Sequence, residues 1–237
     1  MAYGTLYLIP CPISDETAPW DVLPAANRAV MDALDYFIVE NTRTARRFLS
    51  RAGIARPIEE LEFRELNEHT VAGREVEELV APLLAGRSAG VISEAGVPGV
   101  ADPGALVVEA CHRRGVRVVP LVGPSSILLA VMASGLNGQS FAFNGYLPVK
   151  PPERAKAIRF FERRARSEGQ SQLFIEAPYR NAKLLEELVR TLAPETRLTV
   201  AADLTAPTER IETRTVGEWR RMSLPELNKR PAIFIIG

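Results

Sequence analysis

A two-domain α/β fold is predicted by three features of the chain. The first is the stretch Val91-Ile-Ser-Glu-Ala-Gly-Val-Pro-Gly-Val-Ala-Asp-Pro-Gly104, where an apolar run rich in β-branched residues meets a Gly/Pro cluster and then a helix start. The second is the alternation of strand-like and helix-like patterns, which argues for a parallel sheet with helices on both faces. The third is size: 237 residues, 46% of them hydrophobic and 24% charged, suffice for one large soluble domain or two ordinary ones.

Taken in order, residues 5–12 read as an opening strand that runs into a proline-bounded loop. The segment to Trp20 is rich in turn residues, and Ala25, Ala26, Ala29, Val30, Ala33, Leu34 and Phe37 then recur at helical spacing. Residues 36–40 form a short second strand. Asn41 or Thr42 caps a helix that continues through Arg51 and stops at Gly53. A poor third strand at 62–66 precedes an amphipathic helix from about Thr70, which Pro82 is expected to break. Beyond the glycine loop, Asp102 serves as N-cap and Pro103 as first helical residue of a helix over 103–114, closed by Gly115. A buried strand at 116–121 follows, and Gly123-Pro-Ser-Ser126 opens a helix that runs through Ser134 and ends over 135–138. The boundary falls near Gly123, giving domains 1–123 and 124–237. In the second domain the pattern predicts strands at 141–146, 173–176, 197–202, 211–216 and 232–236. A basic helix lies at about 152–167 and another runs to Leu192.

Lys plus Arg and Asp plus Glu number 29 each, so no global field draws nucleic acid or an anionic membrane, and any such affinity is local. Two runs are uneven. Residues 59–78 hold eight glutamates against Arg64 and Arg74, while 150–166 hold Lys150, Arg154, Lys156, Arg159, Arg163, Arg164 and Arg166 against Glu153 and Glu162. Each reads equally as a solvated helix face. Cys11 and Cys111 are too few for a disulfide scaffold, and two histidines cannot assemble a zinc site. With no leader pattern and no uncharged run of about 18 residues, a cytoplasmic protein without membrane spans is expected.

The chemistry points to strand ends. Glycines at 96 and 99 remove Cβ where a ligand approaches backbone, and in an open α/β sheet ligands bind at the carboxyl ends of strands. The proline-bounded loop after the first strand lies at such an end too, so the two loops can share a crevice. Ser125 and Ser126 place hydroxyls and free N–H groups at a helix start. An ordinary βα turn and a capped helix account for the same residues without a ligand.

Six stretches, in order, carry a resemblance: Leu6-Tyr-Leu-Ile-Pro-Cys-Pro-Ile13, Glu40-Asn-Thr-Arg-Thr44, Ile92-Ser-Glu-Ala-Gly-Val-Pro-Gly-Val-Ala-Asp-Pro-Gly104, Pro120-Leu-Val-Gly-Pro-Ser-Ser126, Gly145-Tyr-Leu-Pro-Val-Lys150 and Glu176-Ala-Pro-Tyr-Arg180. Across nearly its whole length the chain resembles the tetrapyrrole methylase family, the class III S-adenosylmethionine-dependent methyltransferases. Within it the chain is similar to the branch that methylates a ribose 2′-oxygen of 16S ribosomal RNA. The resemblance implies two α/β domains with S-adenosyl-L-methionine in the cleft between them, a homodimer, and ribosomal RNA or the small ribosomal subunit as partner. By position, Pro12 faces the cofactor, and Ala95, Gly96, Val97 and Val100 lie along its methionine and ribose. Ser125 and Ser126 bind its amino-acid end, and Glu176 and Leu204 close over the adenine.

On the acceptor side, Glu40 and Glu94 are the candidate carboxylates to receive the ribose proton, and Arg43 belongs with them. Arg43, Lys150 and Arg154 are candidate contacts to phosphate. Each carboxylate reads alternatively as a cap or ion-pair partner. His69 and His112 read as surface residues, and Trp20 and Trp219 as packing. The chain departs from its RNA-methylating relatives at Ser14-Asp15, where Gly-Asn is usual, and at Asn41, where an acid is usual. An RNA 2′-O-methyltransferase accounts for the motif order and the basic helix. A methyltransferase acting on a small tetrapyrrole accounts for the fold but not that helix, and a cofactor-binding regulator without activity accounts for the departures.

Overall fold

Tyr36–Val39 and Ala89–Ile92 are buried at every residue, as parallel strands covered on both faces must be. The computed structural model describes residues 2–66 and 73–237. Its contacts divide the chain into two units, Met1–Ser125 and Ser126–Gly237, against an expected boundary between 123 and 124.

The first unit comprises β1 (Thr5–Ile9), α1 (Pro19–Val22), α2 (Ala26–Ala33), β2 (Tyr36–Val39), α3 (Thr42–Ala52), β3 (Glu62–Glu65), α4 (Arg74–Leu84), β4 (Ala89–Ile92), α5 (Gly104–Arg114) and β5 (Arg117–Pro120). The strands pair in the order β3-β2-β4-β1-β5, every pair parallel. Because side chains alternate across a strand, Leu6, Tyr36, Ile38, Ala89 and Val91 pack with α4 and α5 on one face. Ile9, Phe37, Val39 and Ile92 pack with α2 and α3 on the other. The chain leaves β1 toward β2 on the second face and leaves β4 toward β5 on the first. Consecutive connections therefore part at the carboxyl ends of β1 and β4, which are neighbours. That is where an open α/β sheet holds its ligand.

Four local expectations are corrected. Pro82 does not break α4; it sits in the last turn, where the Ala85 and Arg87 N–H groups still reach the Pro82 carbonyl. Asp102 is not the N-cap, because Pro103 takes that position and α5 begins at Gly104. β5 is an edge strand with Arg117 and Pro120 exposed, not a buried one. The turn-rich segment to Trp20 ends in the short α1, begun by Pro19. His69 and the expected helix start at Thr70 lie outside the described residues.

The second unit comprises α6 (Ser126–Ser134), β6 (Phe141–Tyr146), α7 (Pro151–Glu168), β7 (Ser171–Ile175), α8 (Asn181–Thr191), β8 (Arg197–Ala202), β9 (Arg210–Thr215), α9 (Val216–Trp219) and β10 (Ala232–Ile236). Its sheet runs β6-β7-β10-β8-β9 and is mixed: β6 and β7 are parallel, and the remaining pairs are antiparallel. Phe174, Val200 and Phe234 face α7 and α8, and Leu173, Ala201, Ile233 and Ile235 face α6. Trp219 is fully buried and donates its indole N–H to the Leu198 carbonyl, while Trp20 donates to Ala52, so both are packing residues. Among the described residues no helix is long and apolar enough to cross a membrane.

Candidate active site

Three loops meet at the carboxyl end of the first sheet. The segment after β1 is fastened to the glycine loop after β4 by a bridge in which the Cys11 N–H donates to the Gly96 carbonyl (2.9 Å), and the Cys11 thiol lies 3.3 Å from the Ser93 carbonyl. The segment after β5 runs against both. A Cβ at Gly123 would fall 2.3 Å from Pro10 Cγ, and a Cβ at Gly96 would fall 3.2 Å from the Pro124 oxygen. Gly123 is needed for that close approach, and Gly96 for its left-handed backbone, φ +71°.

The glycine loop is braced from within. One Asp102 carboxylate oxygen accepts the N–H groups of Gly99 (2.6 Å) and Gly104 (2.7 Å), so the side chain expected to cap a helix instead ties the loop to the helix start. Burial pushes the Asp102 carboxyl up from its ordinary value, against the two N–H groups, which pull it down. Ala101, at φ +57°, turns the chain between them. Ala95 and Val100 are exposed, Val97 is half-buried, and Gly96 is covered.

Beside this loop lies the acidic pair. Glu40 extends β2 with its N–H on the Ile92 carbonyl, and its carboxylate is 3.4 Å from the Glu94 N–H. The Thr44 hydroxyl, in the first turn of α3, donates to Glu94 Oε1 at 2.6 Å. Asn41 caps α3, its Oδ1 accepting from Arg43 and Thr44 N–H at 2.9 and 3.3 Å. An acid at this position would make the same contacts, so the departure at Asn41 removes a charge and keeps the cap. Glu65 accepts the Thr42 N–H at 3.0 Å, a bond that holds its carboxyl below the usual range. The other departure also has a local role, since Asp15 takes the Arg47 guanidinium at 2.7 Å. Cys11, Pro12, Asp15, Thr44, Arg47, Arg51, Ser93 and Glu94 all line one recess.

Of the residues expected from sequence, Pro12, Glu40, Glu94, Ala95, Gly96, Val97, Val100 and Ser125 therefore lie in the segments that follow the strands at one end of one sheet, with Arg43 in the first turn of α3 beside them. Sequence reasoning missed the Thr44 contact to Glu94, the pairing of Asp15 with Arg47 and the Asp102 clamp. All three were singled out in the sequence, but the partners of Thr44 and Asp15 are distant along the chain, and Asp102 is redirected to Gly99, three residues back, by the turn at Ala101.

In the second unit Lys150 is the exposed N-cap of α7, Glu176 follows β7 and Leu204 follows β8. These strands run in the same direction, so the three residues share one end of the mixed sheet. Ser126 begins α6. Arg154 is the correction here: expected to meet phosphate, it is 2% exposed and held by Glu187 at 2.7 Å, with Glu176 at 3.9 Å. A buried guanidinium already paired is not available to a solvent-borne anion. Glu176, also buried, holds Arg180 at 2.6 Å, and Arg180 in turn lies over the exposed Tyr179 ring.

Residues 14–219 match the family model described as Tetrapyrrole (Corrin/Porphyrin) Methylases. The chain is 31% identical over 233 residues to a protein of Xylella fastidiosa named ribosomal RNA small subunit methyltransferase I, covering 98% of this chain and 80% of that one. A protein of the same name from Escherichia coli O157:H7 is 30% identical, with 98% and 77% covered. Among solved structures the fold matches that of the methyltransferase CobJ, with a TM-score of 0.64, 18% identity and coverage of 100% of this chain and 94% of that one.

Proposed function

Since this chain belongs to the tetrapyrrole (corrin/porphyrin) methylase family and is a methyltransferase, we propose that it transfers a methyl group from S-adenosylmethionine to a ribose 2′-oxygen of 16S ribosomal RNA. The observation that carries the acceptor is the relationship to small-subunit ribosomal RNA methyltransferases along 98% of the chain. The same reading takes the chain as cytoplasmic and as a homodimer; light scattering after size exclusion tests the dimer.

The loops at the end of the first sheet fit the cofactor. Gly99, at φ +80°, has no heavy atom within 4 Å of where a Cβ would stand, so bare backbone faces open space. Beside it Ala95 and Val100 offer small apolar surface. Pro12, Ala95, Gly96, Val97 and Val100 would hold the methionine and ribose, Ser125 and Ser126 the amino-acid end, and Glu176 and Leu204 the adenine. The cofactor supplies a methyl group already activated on a sulfonium.

What remains for the protein is position and proton. Holding an acceptor in line can contribute roughly 7–11 kcal/mol to lowering the barrier. Arg43, exposed on the first turn of α3, and Lys150 would bind phosphates of the acceptor. Glu40 would receive the hydroxyl proton. Glu94, oriented by Thr44, sits against it and would help hold the acceptor oxygen.

Mass spectrometry of nucleosides from small subunits, isolated from cells with and without the protein, tests the acceptor. A 2′-O-methyl ribose that vanishes on deletion and returns on incubation with purified protein and S-adenosylmethionine is the expected result. Unchanged ribosomal RNA with methyl transfer to a precorrin would assign a tetrapyrrole acceptor instead.

A further inference from the structure

α3 is built for an anion outside the protein. Its apolar side, Ala45, Phe48, Leu49 and Ala52, is buried in the core. The opposite side carries Arg43, Arg46, Arg47 and Arg51, all exposed, and no acidic residue occurs between Thr42 and Ala52. For the helix itself this is a poor arrangement. Arg43–Arg47 and Arg47–Arg51 are like charges at i,i+4, which repel, and Arg43 stands at the positive end of the helix dipole. The contacts on this face do not account for it. Arg47 pairs with Asp15 in the open, with side chains 55% and 73% exposed, and a pair so exposed adds little to stability. Arg51 donates to the Thr17 carbonyl at 3.0 Å, and Arg46 lies 5.9 Å from the Phe63 ring centre. Arg43, Arg47 and Arg51 form one row, rising about 6 Å per step along the axis. The row starts at the turn where Thr44 holds Glu94.

We infer that the arginine face of α3 is a docking track for the phosphate backbone of single-stranded RNA, leading the acceptor strand to the Glu40–Glu94 end of the first sheet. This rests on the ribosomal RNA reading above and adds to it a surface: that reading uses Arg43, while Arg47 and Arg51 line the recess beside Glu94 and Arg46 lies outside it. Guanidinium forks suit phosphate, and a row of them without acids complements a chain of single negative charges.

Filter binding of deproteinised 16S RNA and of intact small subunits, over a fourfold range of salt, tests this with wild type, Arg47→Gln/Arg51→Gln and Arg47→Lys/Arg51→Lys. Each phosphate contact on a single strand contributes a slope of about 0.7 in log affinity against log salt, so the Gln pair should lower the slope by about 1.4 and the wild-type advantage should shrink about sevenfold across the range. The Lys pair should keep the wild-type slope. Calorimetric affinity for S-adenosylhomocysteine should match wild type in the Lys pair and in Arg46→Gln, whose position lies outside the recess lined by Arg47 and Arg51. If the Gln pair does not fold, Arg46→Gln should lower the slope by about 0.7. An unchanged slope overturns the inference. So does a Lys pair as defective as the Gln pair, which would mean the arginines serve the Asp15 and Thr17 contacts alone. A loss confined to intact subunits would assign the face to an acidic ribosomal protein and overturn it as well. Wild type that binds neither form refutes the ribosomal RNA reading itself, a different result from a variant that matches a binding wild type.

Discussion

The Cys11 N–H donates to the Gly96 carbonyl across 2.9 Å, and this bridge makes the loops after β1 and β4 a single structural unit. A side chain on Gly96 disturbs that unit twice. It must adopt φ +71°, and its Cβ must come 3.2 Å from the Pro124 oxygen. A left-handed non-glycine residue costs about 1–3 kcal/mol. The loop must shift to relieve that strain, and the leucine side chain would take up the backbone surface proposed for the cofactor, so Gly96→Leu should lose at least about tenfold in affinity for S-adenosylhomocysteine by calorimetry, tenfold being about 1.4 kcal/mol. Unchanged affinity in the folded variant would remove this loop from the cofactor site.

Cys11 also sets a pH limit. Burial pushes its thiol up to about 12, despite the bonds toward Ser93 and Gly96 that lower it. The folded value lies above the ordinary 9.0, so stability gained by keeping the thiol neutral is fully present below about pH 9 and is lost as pH rises toward 12. Iodoacetamide at pH 8 should leave Cys11 unmodified in the native protein and modify it in urea. Labelling of Cys11 in the native protein at pH 8, read by mass spectrometry, would contradict this.

The elements that sequence made legible are those whose signals are local. Asn41 and Gly53 bound α3 where their cap chemistry places them. The strand at 141–146 and the one at 197–202 stand where the apolar runs predict them. What was not legible depends on partners far along the chain or on a backbone turn that its residue type does not announce. β5 reads as buried because Val118 and Val119 are apolar, yet sheet order puts it at an edge. Arg154 reads as one cation in a basic run, and only the fold sets it against Glu187. Asp102 reads as a cap by its place before Pro103, while the turn at Ala101 redirects it to Gly99. In the site, the glycine loop and both strand-end glutamates were legible, but Thr44's hold on Glu94 spans fifty residues.

The acidic pair predicts a division between binding and rate. Glu40 and Arg43 would touch the acceptor, so their truncation should lower turnover far more than cofactor affinity. A positioned carboxylate that takes a proton contributes about 10²–10⁴-fold. Glu40→Ala should fall within that range in single-turnover methylation of small subunits lacking the modification, and Arg43→Ala should lose rate as well. Turnover within about threefold of wild type for Glu40→Ala would exclude it as the proton acceptor.

α7 carries two kinds of arginine, and they should separate in experiment. Arg159 and Arg163 are exposed and Arg164 pairs with the half-exposed Glu168, so replacing all three by Glu should leave folding and cofactor affinity intact. If this face meets RNA, the reversal should weaken methylation of small subunits and flatten its dependence on salt. Arg154→Ala should do the opposite. It takes the 2.7 Å partner from Glu187, which is 4% exposed and is left with the exposed Arg190 at 3.7 Å, while Glu176 keeps Arg180, and breaking a buried pair on one side costs about 3–5 kcal/mol. Thermal unfolding should therefore drop for Arg154→Ala, while the salt dependence of RNA binding at a temperature where the variant is folded should match wild type. A triple reversal with full activity at every salt concentration would make the exposed face of α7 solvent-facing only, and an Arg154→Ala protein that changes RNA binding without losing stability would return Arg154 to the surface role that its burial argues against.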